Sequence, residues 1–386
     1  MQSVDVVIIG SGVIGASVAY HLAARGCSNI LVIDSGSEPG TGSTGSATGG
    51  FRAQFSSETN VRLSLLSREK LRRFPEECGV DSGYRPYGYL FVTHQQMVLD
   101  ALLAAQKIQR AAGLHEVEAV SPTEIRQINP AIDTEDLLGG VFCPTDGFIR
   151  PMALMHGYME RAKELGVRFA CGTSCTSFQM DASRITAVCT PSATIAAGCV
   201  VNAAGAWAAS VARYAGIDLP VTPLRRQVAL TAPCDLLPEQ MPMTVFADDG
   251  FHLRVRDGRI LLAWPDQPAT ADRFDTTVSN LWVEQVTRRA HRSVPCLART
   301  IIDRQHCWAG LYEMSPDKHA LLGPAPGVEN FYLVNGSSGH GVMHAPALGQ
   351  LLAEIMLDGQ ASTLDTYALR PSRFAEGQPN STLELL

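Results

Sequence analysis

The sequence predicts an α/β fold coupled to an α+β fold, with one domain assembled from three separated stretches and an antiparallel-sheet domain interleaved between them. Three observations carry this. A β-branched apolar run at 4–9 leads directly into Gly10-Ser-Gly-Val-Ile-Gly15 and a helical segment at 16–25. Strand-like runs at 199–202 and 330–334 end in the same manner, on small-residue turns at 203–207 and 336–343 that each precede a helix. The stretches between them, about 86–144 and 216–304, show alternating strands and amphipathic helices instead. The first domain is therefore expected over 1–85, 145–215 and 305–386, and the second over 86–144 and 216–304.

Composition narrows the class of protein. With 386 residues, 46% hydrophobic and 18% charged, the chain can bury a sizeable core and is not a disordered segment. Its 31 Lys+Arg against 38 Asp+Glu leave a formal net charge of −7, and no basic cluster exceeds those at 71–73 or Arg288-Arg289, which argues against nucleic acid as a partner. The ten cysteines contain no CxxC pair, and the two nearest, Cys171 and Cys175, lack a histidine at ligand spacing, so no metal site is expected. Reduced thiols and a cytoplasmic location are the expectation. The apolar stretch 8–24 carries glycines at 10, 12 and 15 and His21, with no cationic region before it, which is unlike a targeting peptide. No apolar run is long enough to predict a membrane span.

Each element of the first domain follows from local chemistry. Gly10 permits a tight turn, Gly12 lets the backbone approach a pyrophosphate, and Gly15 lets the helix pack close to the strand, the Rossmann-like pattern of a dinucleotide site. Backbone N–H groups and the positive helix end receive the phosphates. A second strand at 29–33 ends on Asp34, nineteen residues after Gly15, where a carboxylate takes ribose hydroxyls. From Ser35 to Arg52 the chain is a run of small residues, including Ser43, Thr44 and Ser46, suited to lying against a large planar ligand. A helix at 151–165 and strands at 167–170, 185–190 and 199–202 follow, the last delivering Ala203-Ala204-Gly205-Ala206-Trp207 to the ligand. At the C-terminal end, Gly336, Gly339 and Gly341 bracket the start of a helix at about 345–357. In the second domain the sequence marks a strand at 88–93, a helix at 99–112, a helix start at Ser121-Pro122-Thr-Glu124, and strands at 225–231, 251–255 and 259–263 with Asp257-Gly258 as a hairpin turn.

The combination of GSGVIG, the loop ending GGFRAQF, CVVNAAGAW, and GLYEMSPDKHALLG followed by GSSGHGVMHAPALG resembles the D-amino-acid oxidase and sarcosine oxidase family of flavoproteins over essentially the whole chain. Within it the sequence is more similar to the β subunit of heterotetrameric sarcosine oxidase, dimethylglycine dehydrogenase and dye-linked proline dehydrogenase than to monomeric sarcosine oxidase. The resemblance implies FAD, contacted by Gly10, Gly12, Val13, Ile14, Gly15, Asp34, Ser35, Ser43, Thr44, Cys175, Ala204, Gly205, Trp207, Gly310, Gly339, His340, Gly341 and Val342. Gly310 stands where the monomeric oxidase has its flavin-linked cysteine, and Ser46 where dimethylglycine dehydrogenase has its flavin-linked histidine, so the cofactor is expected to be noncovalent. The hairpin 258–264 has no lysine where the monomeric oxidase activates oxygen, and Met343 replaces its carboxylate-binding lysine.

Flavin N5 can accept a hydride from a carbon beside a neutral amine, and an amino-acid carboxylate held away from water calls for a guanidinium. The resemblance places Arg52 on the substrate side, with Arg254, Tyr312 and His340 as the further catalytic candidates. Arg52 has a competing structural reading, a tie to the loop or a pair with Glu58, and Arg225-Arg226 are expected at the domain junction; His319 and His344 are expected to be structural or on the surface. The expected reaction is oxidation of a small primary or secondary amino acid, such as sarcosine, dimethylglycine, glycine or proline, to an imine. The alternatives are a 2-hydroxy-acid dehydrogenase using His340 or His252 as base, or a flavin subunit that works only with a partner subunit. The electron acceptor is oxygen, a quinone, an electron-transfer flavoprotein or a partner subunit, with the missing lysine weighing against oxygen, and a partner subunit or homo-oligomer is the expected assembly.

Overall fold

The structure, a computed structural model, describes residues 2–265 and 272–381. It begins β1 (Gln2–Ile9), α1 (Val13–Ala24), β2 (Ile30–Ile33), then the small-residue loop, β3 (Gly50–Phe51) and α2 (Glu58–Cys78), which Ser57 caps by accepting from Asn60 N. The chain then builds β4 (Tyr89–Thr93), α3 (Gln96–Ala111), β5 (Glu118–Val120) and α4 (Pro122–Ile128), the last opened by the reciprocal Ser121–Glu124 capping box that the sequence announces. β6 (Gly139–Cys143), β7 (Gly147–Phe148), α5 (Pro151–Glu164), β8 (Arg168–Ala170), β9 (Ser177–Asp181), β10 (Arg184–Cys189), β11 (Thr194–Asn202) and α6 (Ala208–Arg213) follow. The remainder is β12 (Thr222–Leu230), β13 (Met243–Phe246), β14 (Phe251–Arg256), β15 (Arg259–Ala263), α7 (Asn280–Ser293), β16 (Trp308–Met314), β17 (Leu321–Pro324), β18 (Phe331–Asn335) and α8 (Gly341–Asp358).

Two large sheets result. The first runs β17-β18-β11-β1-β2-β8, parallel from β18 to β8, with β10 and β9 attached to β11. Strands buried on both faces read as continuous apolar runs, and Val6 to Ile9 and all of β2 are buried. Helix α1 packs between α5 and α8 over this sheet, and its apolar side chains join those of α8 in one core cluster. The strand order reverses direction at β1 and β11, which leaves a crevice at their carboxyl ends, where α/β sheets bind ligands.

The second sheet runs β16-β12-β15-β14-β13-β4-β6-β5 and is antiparallel except between β13 and β4. The Asp257-Gly258 turn has both residues at positive φ (53° and 68°), the geometry that matches the twist of a tight hairpin. Val228, Ala263, His252, Val245 and Phe91 lie in register across five neighbouring strands, so they form one row on one face. One boundary differs from expectation. β16 falls in 305–386, the stretch assigned to the first domain, yet it pairs with β12 along Thr222–Val228 and forms the edge of the second sheet. Helices α1 and α8 also start earlier than their apolar runs suggest, at Val13 and Gly341, because each begins within its glycine motif.

Candidate active site

The two sheets enclose a cavity of about 900 Å³, at the upper end of the range for small-molecule sites. Its first half is built by the β1–α1 turn. Gly10 has φ +111° and a Cβ there would collide with the Ala203 carbonyl, so only glycine lets β1 and β11 turn away side by side. Gly12 caps α1 without a side-chain hydrogen bond, and Gly12, Val13 and Ile14 line the cavity with the positive helix end. Thr44 Oγ1 accepts from Val13 N at 3.1 Å, clamping the small-residue loop onto this end. Asp34, at the tip of β2, accepts from Ser11 N (2.6 Å), Ser11 Oγ (2.9 Å) and Gly36 N (2.7 Å), which fixes the carboxylate at the cavity wall. Ser35, Ser43, Thr44, Cys175, Ala204, Gly205 and Trp207 line the same half, and Ser43 Oγ donates to the Leu311 carbonyl at 2.6 Å, joining the loop to β16. Gly15 is placed differently. It is absent from the lining and packs against Gly10, where a side chain would collide with the Gly10 carbonyl, so its contribution is to helix packing.

The second half is a chamber between the start of α8 and the second sheet. Gly339, His340, Gly341, Val342 and Met343 bring the α8 N-terminus to the cavity, and His340 caps it without a side-chain bond. Facing them are Phe91, Val245, His252 and Ala263 from the in-register row, with Tyr89, Met243, Trp264 and Tyr312 beside it. Arg52 enters from the end of the loop at 6% exposure. Its Nη1 donates to the Gln54 carbonyl, its Nη2 lies 3.3 Å from His340 Nε2, and the guanidinium sits 4.0 Å from the Phe55 ring centroid. Guanidinium only donates, so His340 Nε2 is the acceptor and the ring is neutral; burial and the nearby Arg52 hold its pKa well below the ordinary imidazole value. Glu58, the competing partner, instead pairs with Arg62.

His252 reaches the same neutral state by another route. A carbonyl can only accept, so the 2.9 Å contact between Nδ1 and the Gly250 oxygen puts the proton on Nδ1 and leaves the lone pair on Nε2. Burial lowers its pKa, and Arg226 and Arg52 push the same way. Arg226 lines the chamber with its guanidinium 5.7 Å from the Tyr312 ring centroid, which places a second cation where a domain-junction role was expected. Burial raises the Tyr312 hydroxyl pKa, so it stays a neutral donor. Glu313, next in β16, is pushed up to about 7 by burial and has Oε2 without a partner.

Arg254 does not line the cavity. Its Nη1 donates to the Thr48 (2.9 Å) and Gly49 (3.2 Å) carbonyls and its guanidinium lies 3.6 Å from the Phe148 ring centroid. It fastens the small-residue loop from behind, and the substrate-side assignment is corrected accordingly. His319 and His344 are buried and structural: His319 meets the Asp317 carbonyl (2.6 Å) and Ser57 Oγ (2.7 Å), and His344 meets Ser64 Oγ (2.9 Å). Sequence reading missed the chamber's aromatic wall and Arg226. The run 89–93 is legible as a strand, but nothing in one sequence shows that it pairs with 243–246 or which face looks inward. Gly310 faces Ser46 so closely that a Cβ on Gly310 would collide with the Ser46 side chain. The two expected positions of covalent attachment thus converge on one spot, and neither carries a cysteine or histidine.

Residues 5–355 match the family described as FAD dependent oxidoreductase (DAO). The chain is 30% identical to bovine (Bos taurus) "FAD-dependent oxidoreductase domain-containing protein 1", covering 97% of this chain and 85% of that protein. It is 27% identical to mouse (Mus musculus) mitochondrial sarcosine dehydrogenase over 97% of this chain, which spans only 42% of that longer protein. Among solved structures, L-proline dehydrogenase from P. horikoshii superposes with a TM-score of 0.91 at 28% identity, covering 98% of this chain and 100% of that one. The chain belongs to the FAD-dependent oxidoreductase family, and its cofactor is FAD. The residues present fit that group: a glycine cradle that a Cβ would fill, two uncapped helix N-termini facing one cavity, and a carboxylate at the tip of β2. Among the described residues no helix is long and apolar enough to cross a membrane and no cluster could hold a metal ion, and all ten cysteines are free thiols.

Proposed function

We propose that the chain oxidises a small amino acid with a primary, secondary or tertiary amine, of the class of glycine, sarcosine, proline or dimethylglycine, to its imine or iminium ion, with FAD held noncovalently. When bound, FAD supplies the two-electron acceptor for the hydride that leaves the carbon beside nitrogen. The observation that carries this reading is Arg52, a guanidinium 6% exposed on the wall of an aromatic chamber, beside a neutral histidine. Arg52 binds the substrate carboxylate in a water-poor site, with Arg226 adding positive charge across Tyr312. An amino acid arrives as an ammonium ion, whose nitrogen lone pair is occupied. His252 Nε2 accepts that proton, and the C–N bond becomes C=N as the α-hydrogen leaves with its electron pair. Tyr89, Phe91, Met243 and Tyr312 exclude water and orient the carbon. Water then hydrolyses the released imine.

The relatives named for sarcosine and proline support a secondary or cyclic amine as substrate. Arg52→Ala tests the carboxylate contact. The concentration giving half-maximal anaerobic flavin reduction should rise about 100-fold for an amino acid and less than about 3-fold for its amide, as expected for loss of a charge-assisted pair. Equal losses for both compounds would remove Arg52 from the substrate site.

A further inference from the structure

Behind Arg52 lies a buried carboxylate with no part in the hydride or proton transfers. Asp146, in the turn between β6 and β7, is 0% exposed. Its neighbours Gly147 and Phe148 pair as β7 with Phe51 and Gly50, so Asp146 meets the chain where it leaves β3 and reaches Arg52. Oδ1 accepts from Ala53 N at 2.9 Å, and Oδ2 accepts from Gln54 Nε2 at 3.2 Å. The same Nε2 donates to the Tyr89 carbonyl at 2.9 Å, which ties this cluster to the chamber wall. The Gln54 carbonyl in turn accepts from Arg52 Nη1. Asp146 thus fixes the backbone that follows Arg52 and, through Gln54, the direction of its guanidinium.

The position also makes Asp146 sensitive to what Arg52 holds. Burial pushes its pKa up to about 6, while the hydrogen bonds from Ala53 and Gln54 and the charges of Arg52 and Arg68 pull it down. The other titratable groups around it keep one charge state near neutrality. Arg52 and Arg68 stay cationic, and burial pushes the hydroxyls of Tyr84 and Tyr89 and the thiol of Cys143 up to about 12. An anion brought to Arg52 repels the Asp146 carboxylate, and between buried groups that repulsion is little screened by salt. Binding therefore favours the protonated acid, and by linkage the protonated site binds the anion more tightly.

Resting on the assignment of the substrate carboxylate to Arg52, we propose that Asp146 is the positioning residue and counter-charge of that guanidinium, and that it takes up a proton from solvent when a carboxylate ligand binds. The probe is methoxyacetate, in which an ether oxygen replaces the sarcosine nitrogen and whose one carboxyl stays ionised above about pH 5. It is titrated into the FAD-loaded full chain between about pH 5.5 and about pH 8, with the flavin absorbance reporting binding. The wild-type Kd should rise about fivefold or more across that range, and His252→Gln should keep the rise. In Asp146→Asn the Kd should vary less than about twofold. Arg68→Gln, which removes a charge that lowers the Asp146 pKa, should move the rise to higher pH and serves where Asp146→Asn does not fold. A flat wild-type Kd, or a rise that neither variant alters, would overturn the proposal. Arg52→Ala separates it from the assignment beneath it: lost affinity for methoxyacetate but not for methoxyacetamide upholds the carboxylate site even where Asp146 proves inert, and unchanged affinity for both overturns the two together.

Discussion

At the residue scale, the chamber depends on two neutral histidines and one enclosed arginine. His340 is kept neutral by burial and Arg52, and its lone pair is engaged, whereas the Nε2 lone pair of His252 is the one left to accept a proton. Since the pKa of His252 lies below 6.5, it stays a competent acceptor across neutral pH, and its protonation removes activity only on the acid side. His252→Gln should therefore slow anaerobic flavin reduction by about 10²-fold near pH 7, where the substrate is an ammonium ion. The deficit should shrink as pH rises towards the substrate's own pKa. A deficit constant with pH would make the residue a positioning group. Gly339 has φ +88° and a Cβ on it would collide with the Tyr312 ring, so Gly339→Ala should displace that ring and lower the reduction rate by about tenfold or more, measured by stopped flow. Several of these residues were legible in sequence because glycine motifs declare their own geometry. Arg254 was not, since a strand residue's side depends on register, and here it faces the back of the loop.

At the element scale, the loop between β2 and β3 is held on both sides. Thr44 meets the α1 N-terminus, Ser43 meets β16, and Arg254 holds Thr48 and Gly49. No short-range pattern encodes these ties, which span up to 268 residues of chain. The Ser315–His319 segment has a comparable anchor. Arg373, fully buried, donates from Nε (2.8 Å) and Nη2 (2.9 Å) to the two oxygens of Asp317. Burial pushes the Asp317 pKa up, but the hydrogen bonds from Arg373, Asn380 and His319 outweigh it and hold the group at about 2. A folded-state pKa below the unfolded value means that this stabilisation is present above about pH 4 and is lost as pH falls through about 2. Asp317→Ala strands the buried guanidinium, and should cost about 3–5 kcal/mol in denaturant unfolding at pH 7. A loss below about 1 kcal/mol would show that the pair is no better than a surface one.

At the scale of the whole molecule, the proposed reaction draws on two sheets set on either side of one cavity, the first supplying the cofactor cradle and the second the wall to which we assign the substrate. The first was the more legible, because parallel strands followed by glycine turns repeat three times along the chain. The second was legible as a set of strands, but its order was not, and β16 joined it against expectation because seven residues pair along β12. The convergence of Gly310 and Ser46 carries a prediction at this scale: acid or heat denaturation should release all of the flavin into the supernatant as free FAD. Flavin that stayed with the precipitate would mean a covalent link. The most direct measurement is anaerobic mixing of the FAD-loaded chain with sarcosine, dimethylglycine, glycine, proline and matching 2-hydroxy acids while following the flavin absorbance. Bleaching by an N-methyl or cyclic amino acid, without bleaching by the hydroxy acids, is the predicted result. A bound flavin that a hydroxy acid bleaches and no amino acid does would contradict it.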